Sequence, residues 1–183
     1  WLDCVPARLQ GGGVDLSILQ RPRRLRRSEN LRRLVRETRL HTSDLIWPLF
    51  VHGGDSDEPV PSMPGVSRHC LDSLLRACEE ALRLDIPAVA VFPCIEASLK
   101  NAEGSHAHEE SNLLYRSVRE IKKRFPELLL ITDVALDPYT SHGHDGLLSP
   151  SGDSVENDAT VEALCRLAVH EAAAGADIVA PSD

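Results

Sequence analysis

Residues 131–146 have the sequence ITDVALDPYTSHGHDG, in which an apolar strand leads into a loop dense in carboxylates, imidazoles and hydroxyls. Its aspartates and histidines are Asp133, Asp137, His142, His144 and Asp145. Polar groups at the end of a buried strand are costly unless they have partners, so this density predicts a ligand site. A solvated turn without a ligand is the alternative, because the same residue types also form turns.

Apolar strands alternate with amphipathic helices on both sides of this stretch. Buried strands are expected at 45–51, 88–92, 128–132 and 177–180, and helices at 71–82, 113–121 and 157–174. Strands in such an alternation pair in parallel through right-handed crossovers. The polar clusters that follow the later strands then lie at the carboxyl edge, where parallel sheets bind ligands.

Several smaller expectations follow from the same pattern. Pro93 should end the second strand, and residues 52–66 should form a loop. His106 and His108 lie in another loop, where we expect them to be exposed rather than to bind a metal. Gly175 is well placed to end the third helix.

Residues 1–40 are predicted to form an N-terminal arm. A triple glycine at 11–13 predicts that residues 1–20 are flexible. The segment 21–39 is rich in arginine, and Ser28 is expected to cap a short helix that ends near Thr38. A basic arm can dock on an acidic neighbouring subunit, or bind nucleic acid or a membrane. The acidic remainder of the chain favours docking.

The composition limits the class of protein. The 183 residues are 42% apolar and 26% charged, which is typical of one soluble globular domain, and no apolar run is long enough to span a bilayer. The net charge of −8 argues against a nucleic-acid partner for the body of the chain. Five scattered cysteines without a C-x-x-C pair indicate a reducing, cytoplasmic compartment.

Residues 41–183 are predicted to form the second domain. Four strands cannot close a (β/α)8 TIM barrel, so the segment is either an open sheet or the first half of such a barrel. The only methionine is Met63, and the sequence stops at Asp183 directly after a strand-like run. We therefore expect a chain cut from a longer one, with about four β/α units present.

Five motifs occur in an order and spacing that one known family shares. They are DLIWPLFV at 44–51, SMPGV at 62–66, VFP at 91–93, TDVALDPYTSHGHDG at 132–146 and AGADIVAPSD at 174–183. On these motifs the chain resembles the porphobilinogen synthases, also called 5-aminolevulinate dehydratases. The resemblance extends from about Arg21 to the last residue.

The resemblance implies a (β/α)8 barrel with an arm that wraps a neighbouring subunit, commonly in a homo-octamer. It implies the condensation of two 5-aminolevulinate molecules to porphobilinogen, with loss of two waters, in haem and chlorophyll synthesis. A plastid location is implied if the source is a photosynthetic eukaryote, and a cytoplasmic location otherwise.

The resemblance also implies roles for individual residues. Asp133, Ser182 and Asp183 match positions that line the family's active site, where they position substrate and move protons. Three further residues are expected beside the substrate or in a proton relay: Asp137, Tyr139 and His144.

Two lysines of the family form Schiff bases with the substrate ketones. This sequence has only Lys100 in a loop and Lys122 and Lys123, which we expect on the solvated face of a helix. In the family both catalytic lysines come from later strands, beyond the point that matches Asp183. We therefore expect this chain alone to be inactive.

The motif also implies a metal class. Zinc-dependent members have three cysteines where this chain has Ala135, Asp137 and Asp145, and thiolates suit zinc. Carboxylates favour harder ions, so the chain resembles the members that use magnesium, and Asp137 and Asp145 are candidate ligands. Zinc is not expected at these positions.

Two other functions remain open at this point. Fold logic alone permits a metal-dependent hydrolase with His142, His144 and Asp145 as ligands and Asp133 or Asp137 as the base. A non-catalytic assembly fragment, whose basic arm engages intact subunits, is the other alternative.

Overall fold

The computed structural model describes residues 21–182, which divide between Leu40 and His41 into two compact units. The stretch predicted as a flexible tether, 1–20, lies outside the described residues, and so does Asp183. No helix of residues 21–182 combines the length and the apolar character that crossing a bilayer requires.

The described part of the first unit is short and almost entirely exposed. A 3-10 helix at Pro22–Arg26 precedes the helix α1 (Glu29–Leu34). Ser28 caps α1 as predicted, because its side chain accepts a hydrogen bond from the backbone nitrogen of Leu31 at 3.2 Å. The predicted end at Thr38 is wrong, since α1 ends one turn earlier. It buries no side chain that could stabilise a longer helix.

The second unit is built on one six-stranded sheet. Its strands are β1 (Ile46–His52), β2 (Glu58–Pro59), β3 (Ser67–His69), β4 (Ala88–Cys94), β5 (Leu129–Val134) and β6 (Ile178–Pro181). The order across the sheet is β2-β3-β1-β4-β5-β6, and the long strands β1, β4, β5 and β6 are parallel neighbours. The four predicted strands and their parallel pairing are confirmed.

Three helices cover one face of this sheet. They are α2 (Leu71–Arg83), α3 (Leu113–Arg124) and α4 (Asn157–Ala174). Strand and helix side chains form a single buried cluster that includes Leu49, Val51, Val91, Leu130, Leu74, Leu114, Val118, Ile121 and Leu167. Each such side chain contributes about 2 kcal/mol by leaving water. Gly175 ends α4 with φ of 116°, as predicted.

The opposite face of the sheet is only partly buried. Ile46, Leu129 and Ile178 share this face by register and are 54%, 43% and 44% exposed. The expectation that the first strand is buried on both faces is therefore wrong at Ile46 and at Pro48, which are both exposed. In a closed (β/α)8 barrel this face is the one that lines the interior.

Two prolines lie inside strands. The sequence prediction placed Pro48 within a strand but expected Pro93 to end one. Pro93 was expected to end its strand, but it pairs with Val51 within β4, which continues to Cys94. Pro48 pairs with Ala90 in the same ladder. At both positions the strand has only one bonded neighbour, so the missing N–H costs little.

Short strands occupy part of the segment predicted as a loop. β2 lies inside 52–66, and it pairs antiparallel with β3, which follows that segment. β3 in turn pairs parallel with β1 through Phe50 and Arg68. Two- and three-residue strands carry no readable periodicity, which is why the pattern missed them.

The histidine loop is also more ordered than expected. His106 and His108 belong to a 3-10 helix, Ser105–His108, and His106 is only 8% exposed. The Nδ1 atom of His106 lies 2.9 Å from the Glu109 carboxylate. The prediction of two exposed histidines is wrong for both. The His106 ring packs 6.5 Å from the buried Tyr139 ring, and His108 is only partly exposed, with its ring 5.7 Å from that of His170.

Lys122 is not a solvated lysine. Its Nζ donates to the carbonyls of Pro126 and Leu128, at 2.9 and 3.0 Å, and to the Asp177 carboxylate at 2.8 Å. Asp177 also accepts from the backbone nitrogen of Leu130, so this lysine joins α3 to two strands. Lys123 is exposed, as predicted.

Candidate active site

A cavity of about 610 Å³ opens at the carboxyl ends of β1, β4 and β5. The residues that line it are Phe50, His52, Gly53, Gly54, Glu58, Arg68, Phe92, Pro93, Cys94, Ile95, Glu96, Lys100, Asp133, Asp137 and Pro138. The stretch 131–146 thus contributes two aspartates and a proline. The predicted placement of a site at this edge of the sheet agrees with the cavity.

Asp133 joins two neighbouring strand ends. The Oγ of Ser182 donates to Asp133 Oδ1 at 2.6 Å, across the pair β5 and β6. A hydrogen bond to a carboxylate is stronger than one between neutral groups, and it restrains the orientation of the Asp133 carboxylate. The structure therefore brings together two of the three residues predicted to be catalytic, while the third, Asp183, lies outside the described residues.

Asp137 lies in a cluster of negative charge. Burial raises the pKa of Asp137, and the charges of Asp145 and Asp133 raise it further, while Lys100 opposes them. Like charges this close disfavour full ionisation of the group. The site thus holds a carboxyl group that gains from a nearby cation.

His52 at the end of β1 is held by its own loop. The backbone nitrogen of Gly54 donates to His52 Nδ1 at 3.3 Å, so the proton of the neutral ring lies on Nε2. Nε2 then donates to the carbonyl of Ser56 at 2.9 Å. The ring is buried, and both of its nitrogens are engaged.

Two basic residues of the cavity were not predicted. Arg68 on β3 reaches within 3.9 Å of the Glu58 carboxylate, and Lys100 follows a 3-10 helix at Ala97–Leu99. Burial raises the pKa of the Cys94 thiol at this wall, and Arg68 partly offsets the shift. Lys100 follows the carboxyl end of a predicted strand, a position from which sites draw residues, and this signal could have identified it; Arg68 lies on β3, which the pattern did not predict.

Tyr139 and His144 are not among the cavity-lining residues. Tyr139 is 1% exposed and belongs to the core, where burial raises its pKa above the usual range of a phenol. His144 is exposed, and its backbone carbonyl accepts from Thr140 Oγ1 at 3.1 Å. Their expected roles beside the substrate remain predictions.

The loop histidines have backbone partners. The Nδ1 of His142 accepts from the backbone nitrogen of His144 at 3.1 Å, so its Nε2 carries the proton and donates to the Ala102 carbonyl at 3.1 Å. No cluster of three or more His, Cys, Asp or Glu side chains in residues 21–182 has a metal-binding arrangement. The geometry gives no support to a hydrolase with His142 as a ligand.

The hard cation expected at Asp137 and Asp145 stays a prediction. Asp137 and Asp145 influence each other electrostatically, and carboxylate oxygens are the ligands that magnesium prefers. No thiol stands at either position or at Ala135, so these positions provide no zinc site of the thiolate type. Two carboxylates alone would leave several coordination positions to water or to other groups.

A mainly parallel sheet with helices on one face, and a charged cavity at its carboxyl edge, define an α/β protein with a small-molecule site. Residues 19–183 match the family model of delta-aminolevulinic acid dehydratase. The chain belongs to the delta-aminolevulinic acid dehydratase family.

Relatives of several lineages carry this family name. The delta-aminolevulinic acid dehydratase of Bradyrhizobium diazoefficiens is 51% identical over 171 residues, which are 93% of this chain and 47% of the relative. That of Chlamydia pneumoniae is 46% identical, over 92% and 51% of the two chains. The chloroplastic protein of Glycine max is 41% identical, over 92% and 41%.

A solved structure shows the same fold. The delta-aminolevulinic acid dehydratase (porphobilinogen synthase) of Toxoplasma gondii, in complex with the reaction product porphobilinogen, superposes with a TM-score of 0.89 at 43% identity. The match covers 92% of this chain and 48% of that one. The chain spans about half the length of these relatives.

Proposed function

We propose that this chain supplies the first four parallel strands of a porphobilinogen synthase barrel and, at their carboxyl ends, part of its active site. The reaction condenses two molecules of 5-aminolevulinate to porphobilinogen and releases two waters. The observation that carries the proposal is the likeness to the Toxoplasma gondii structure, which holds porphobilinogen and has a TM-score of 0.89.

The charges of the cavity support this choice of substrate. 5-Aminolevulinate carries an ammonium group at one end and a carboxylate at the other. The acidic residues Glu96, Asp133 and Asp137 line the same cavity as the basic residues Arg68 and Lys100. A wall with both signs of charge can orient such a molecule by complementary contacts at its two ends.

Asp133 and Ser182 are the residues we propose for proton movement. Their hydrogen bond of 2.6 Å holds an acceptor and a hydroxyl together at the rim of β5 and β6. A fixed carboxylate within reach of substrate can accept a proton as bonds to the substrate nitrogen and carbon rearrange. Asp183 is proposed to join them.

The Schiff-base lysines are proposed to lie in the part of the relatives that this chain does not span. Lys122 is unsuited, because its amine already donates to three oxygens. Lys100 lines the cavity, where its charge is better placed to bind a carboxylate. We infer that the chain without the remainder of the barrel does not turn over substrate.

The metal, assembly and location are further parts of this proposal. Asp137 and Asp145 would bind magnesium, whose charge would offset the repulsion between these carboxylates. The exposed arginines of the arm would dock on acidic surfaces of other subunits in a homo-oligomer, with an octamer as the expected state. A cytoplasmic location is proposed, or a plastid one in a photosynthetic eukaryote, as in relatives named chloroplastic.

Borohydride trapping tests the proposal. When a lysine amine attacks the substrate ketone, water leaves and a C=N bond forms, which borohydride reduces to a stable secondary amine. The experiment treats this chain, and a chimera in which it replaces the matching segment of the Bradyrhizobium diazoefficiens enzyme, with 5-aminolevulinate and borohydride, followed by intact-mass spectrometry.

We expect an adduct on the chimera and none on the chain alone. An adduct on the chain that disappears in Lys100→Met would show that the reactive amine lies here and would contradict the assignment. A chimera that forms neither adduct nor porphobilinogen would refute the proposed function.

A further inference from the structure

A carboxyl group is buried between α4 and β5, the strand that carries Asp133, and no cation of residues 21–182 is paired with it. Glu171 of α4 has no exposed surface, and its Oε2 accepts a hydrogen bond from Thr132 Oγ1 at 2.7 Å. Its other oxygen, Oε1, has no hydrogen-bond partner among the described residues. An ionised carboxylate here would have neither water nor a counter-charge, so the neutral form is favoured.

The residues that face Glu171 from the sheet strengthen this preference. The pKa of Glu171 is raised to about 7 in total, chiefly by burial, and the hydrogen bond from Thr132 offsets the shift only in part. The negative charge of Asp133, one residue further along β5, raises it again. Thr132 is itself fully buried, so water does not screen the interaction.

The neighbouring side chains that act on the pKa of Glu171 carry no positive charge. Tyr115 of α3 and Tyr139 of the loop after β5 are buried phenols, and Glu171 raises the pKa of both after the larger effect of burial. The hydroxyl of Tyr115 donates to the carbonyl of Ala107. On α4 itself, the ring of His170 packs edge-on against Tyr115, with centroids 6.1 Å apart.

Thr132 of β5 connects Glu171 to the cavity residue Asp133. Thr132 and Asp133 are consecutive in β5, so their side chains point to opposite faces of the sheet. Thr132 points to the helix layer and meets Glu171, and Asp133 points to the cavity. A hydrogen bond between two fully buried groups restrains the strand at the point where it presents Asp133.

We propose that Glu171 is a positioning residue of the site: as a neutral carboxyl group it fixes Thr132 from the helix layer and thereby sets the placement of Asp133. The catalytic consequence rests on the proposed function. The coupling of Glu171 to Asp133 rests on the hydrogen bond, the burial and the strand geometry alone.

Carbon-13 NMR titration of the Glu171 carboxyl in this chain tests the coupling without any activity. The expected midpoint lies near neutral pH, and Asp133→Asn lowers it because a repelling charge is removed. Glu162→Gln, which removes an exposed carboxyl of the same helix, is the matched control and should not move it. A midpoint near the ordinary glutamate value of about 4.3, or one unaffected by Asp133→Asn, overturns the inference.

Kinetics of the chimera test the positioning role. Glu171→Leu removes the acceptor of Thr132 and should lower kcat about tenfold or more with a smaller effect on KM, because Asp133 is displaced. Glu171→Gln keeps an acceptor and should retain kcat within about twofold on the acid side of pH 7, while the inflection of the pH profile near pH 7 is lost.

The outcomes separate this inference from the proposed function. If the unsubstituted chimera forms no porphobilinogen, the proposed function fails and the titration still decides the coupling. If Glu171→Leu leaves kcat unchanged, or Glu171→Gln keeps the same pH profile as the unsubstituted chimera, the positioning role is wrong. The second comparison applies even if the leucine variant does not fold.

Discussion

At the residue scale, the position of the His52 ring in the cavity wall depends on the absence of a side chain at Gly54. A Cβ at position 54 would lie 2.7 Å from His52 Cε1, so Gly54→Ala must push the buried ring away and break its bond to the Ser56 carbonyl. We expect a loss of about 1–3 kcal/mol in the free energy of unfolding, measured by urea denaturation.

The adjacent glycine provides the control for this prediction. A Cβ at Gly53 would meet only Glu96 Oε1, at the ordinary contact distance of 3.8 Å. Gly53→Ala should therefore change stability by less than about 0.5 kcal/mol. Equal losses in the two variants would show that packing against His52 is not the cause.

Lys122 and Lys123 make a second matched pair. Lys122→Met removes the amine that donates to two carbonyls and to Asp177, which then keeps only the Leu130 nitrogen, and it should cost about 1–3 kcal/mol in the free energy of unfolding. The exposed Lys123→Met should be nearly neutral. Chemical denaturation of both variants measures the difference, and a neutral Lys122→Met would mean that this junction contributes no stability.

Glu171 should make stability fall as pH rises. Its folded pKa of about 7 lies above the ordinary 4.5, so the folded state holds this proton more tightly. Its contribution is full below about pH 4.5 and is lost as pH rises to about 7, by about 3 kcal/mol in total. The stability of Glu171→Gln relative to the unsubstituted chain should rise across this window. A pH-independent difference would contradict the assignment.

The sequence motif predicted which residues lie near the site better than it predicted where their side chains point. Asp133 and Asp137 were found because they lie at the end of a strand, where the direction of the sheet fixes their location. Tyr139 lies in an irregular loop whose turns point it into the core, and no local pattern contains that information. Lys100 was missed although it follows a predicted strand, and Arg68 was missed because it lies on β3, a strand that the pattern did not predict.

At the element scale, hydrophobic periodicity was sufficient for every long strand and helix of the second unit. Apolar side chains of the three helices pack against those of β1, β4, β5 and β6. The spacing of these apolar residues along the sequence therefore predicts which of them are buried. The short strands β2 and β3 depend on pairing with β1, which is a tertiary effect. The arm helix fell short because nothing among its described side chains is buried.

The end of α4 provides a prediction at this scale. Gly175 has φ of 116°, where a side chain is strained, and a Cβ there would lie 3.4 Å from Lys122 Cγ. Gly175→Ala should lower the free energy of unfolding by about 1 kcal/mol or more, and Gly175→Asn by less, because asparagine tolerates positive φ better. Thermal unfolding of both variants distinguishes them, and an alanine variant as stable as the parent would exclude strain at this cap.

For the whole molecule, the proposed barrel accounts for the partly exposed face of the sheet. The chain covers 47% of its Bradyrhizobium diazoefficiens relative and 48% of the Toxoplasma gondii structure. The sheet face that carries Ile46, Leu129 and Ile178 is the one that a complete barrel encloses. The sequence motifs indicated this family, whereas the cavity alone could not have done so, because a cavity at a sheet edge is common to many α/β enzymes.

The most direct test of the proposed function is the rate of porphobilinogen formation by the chimera that carries this chain in place of the matching Bradyrhizobium diazoefficiens segment. We predict turnover that Asp133→Asn reduces about 100-fold or more, whereas Glu162→Gln leaves it unchanged. A folded chimera that forms no porphobilinogen, or one that is indifferent to Asp133→Asn, would contradict the claim that this chain forms part of a porphobilinogen synthase active site.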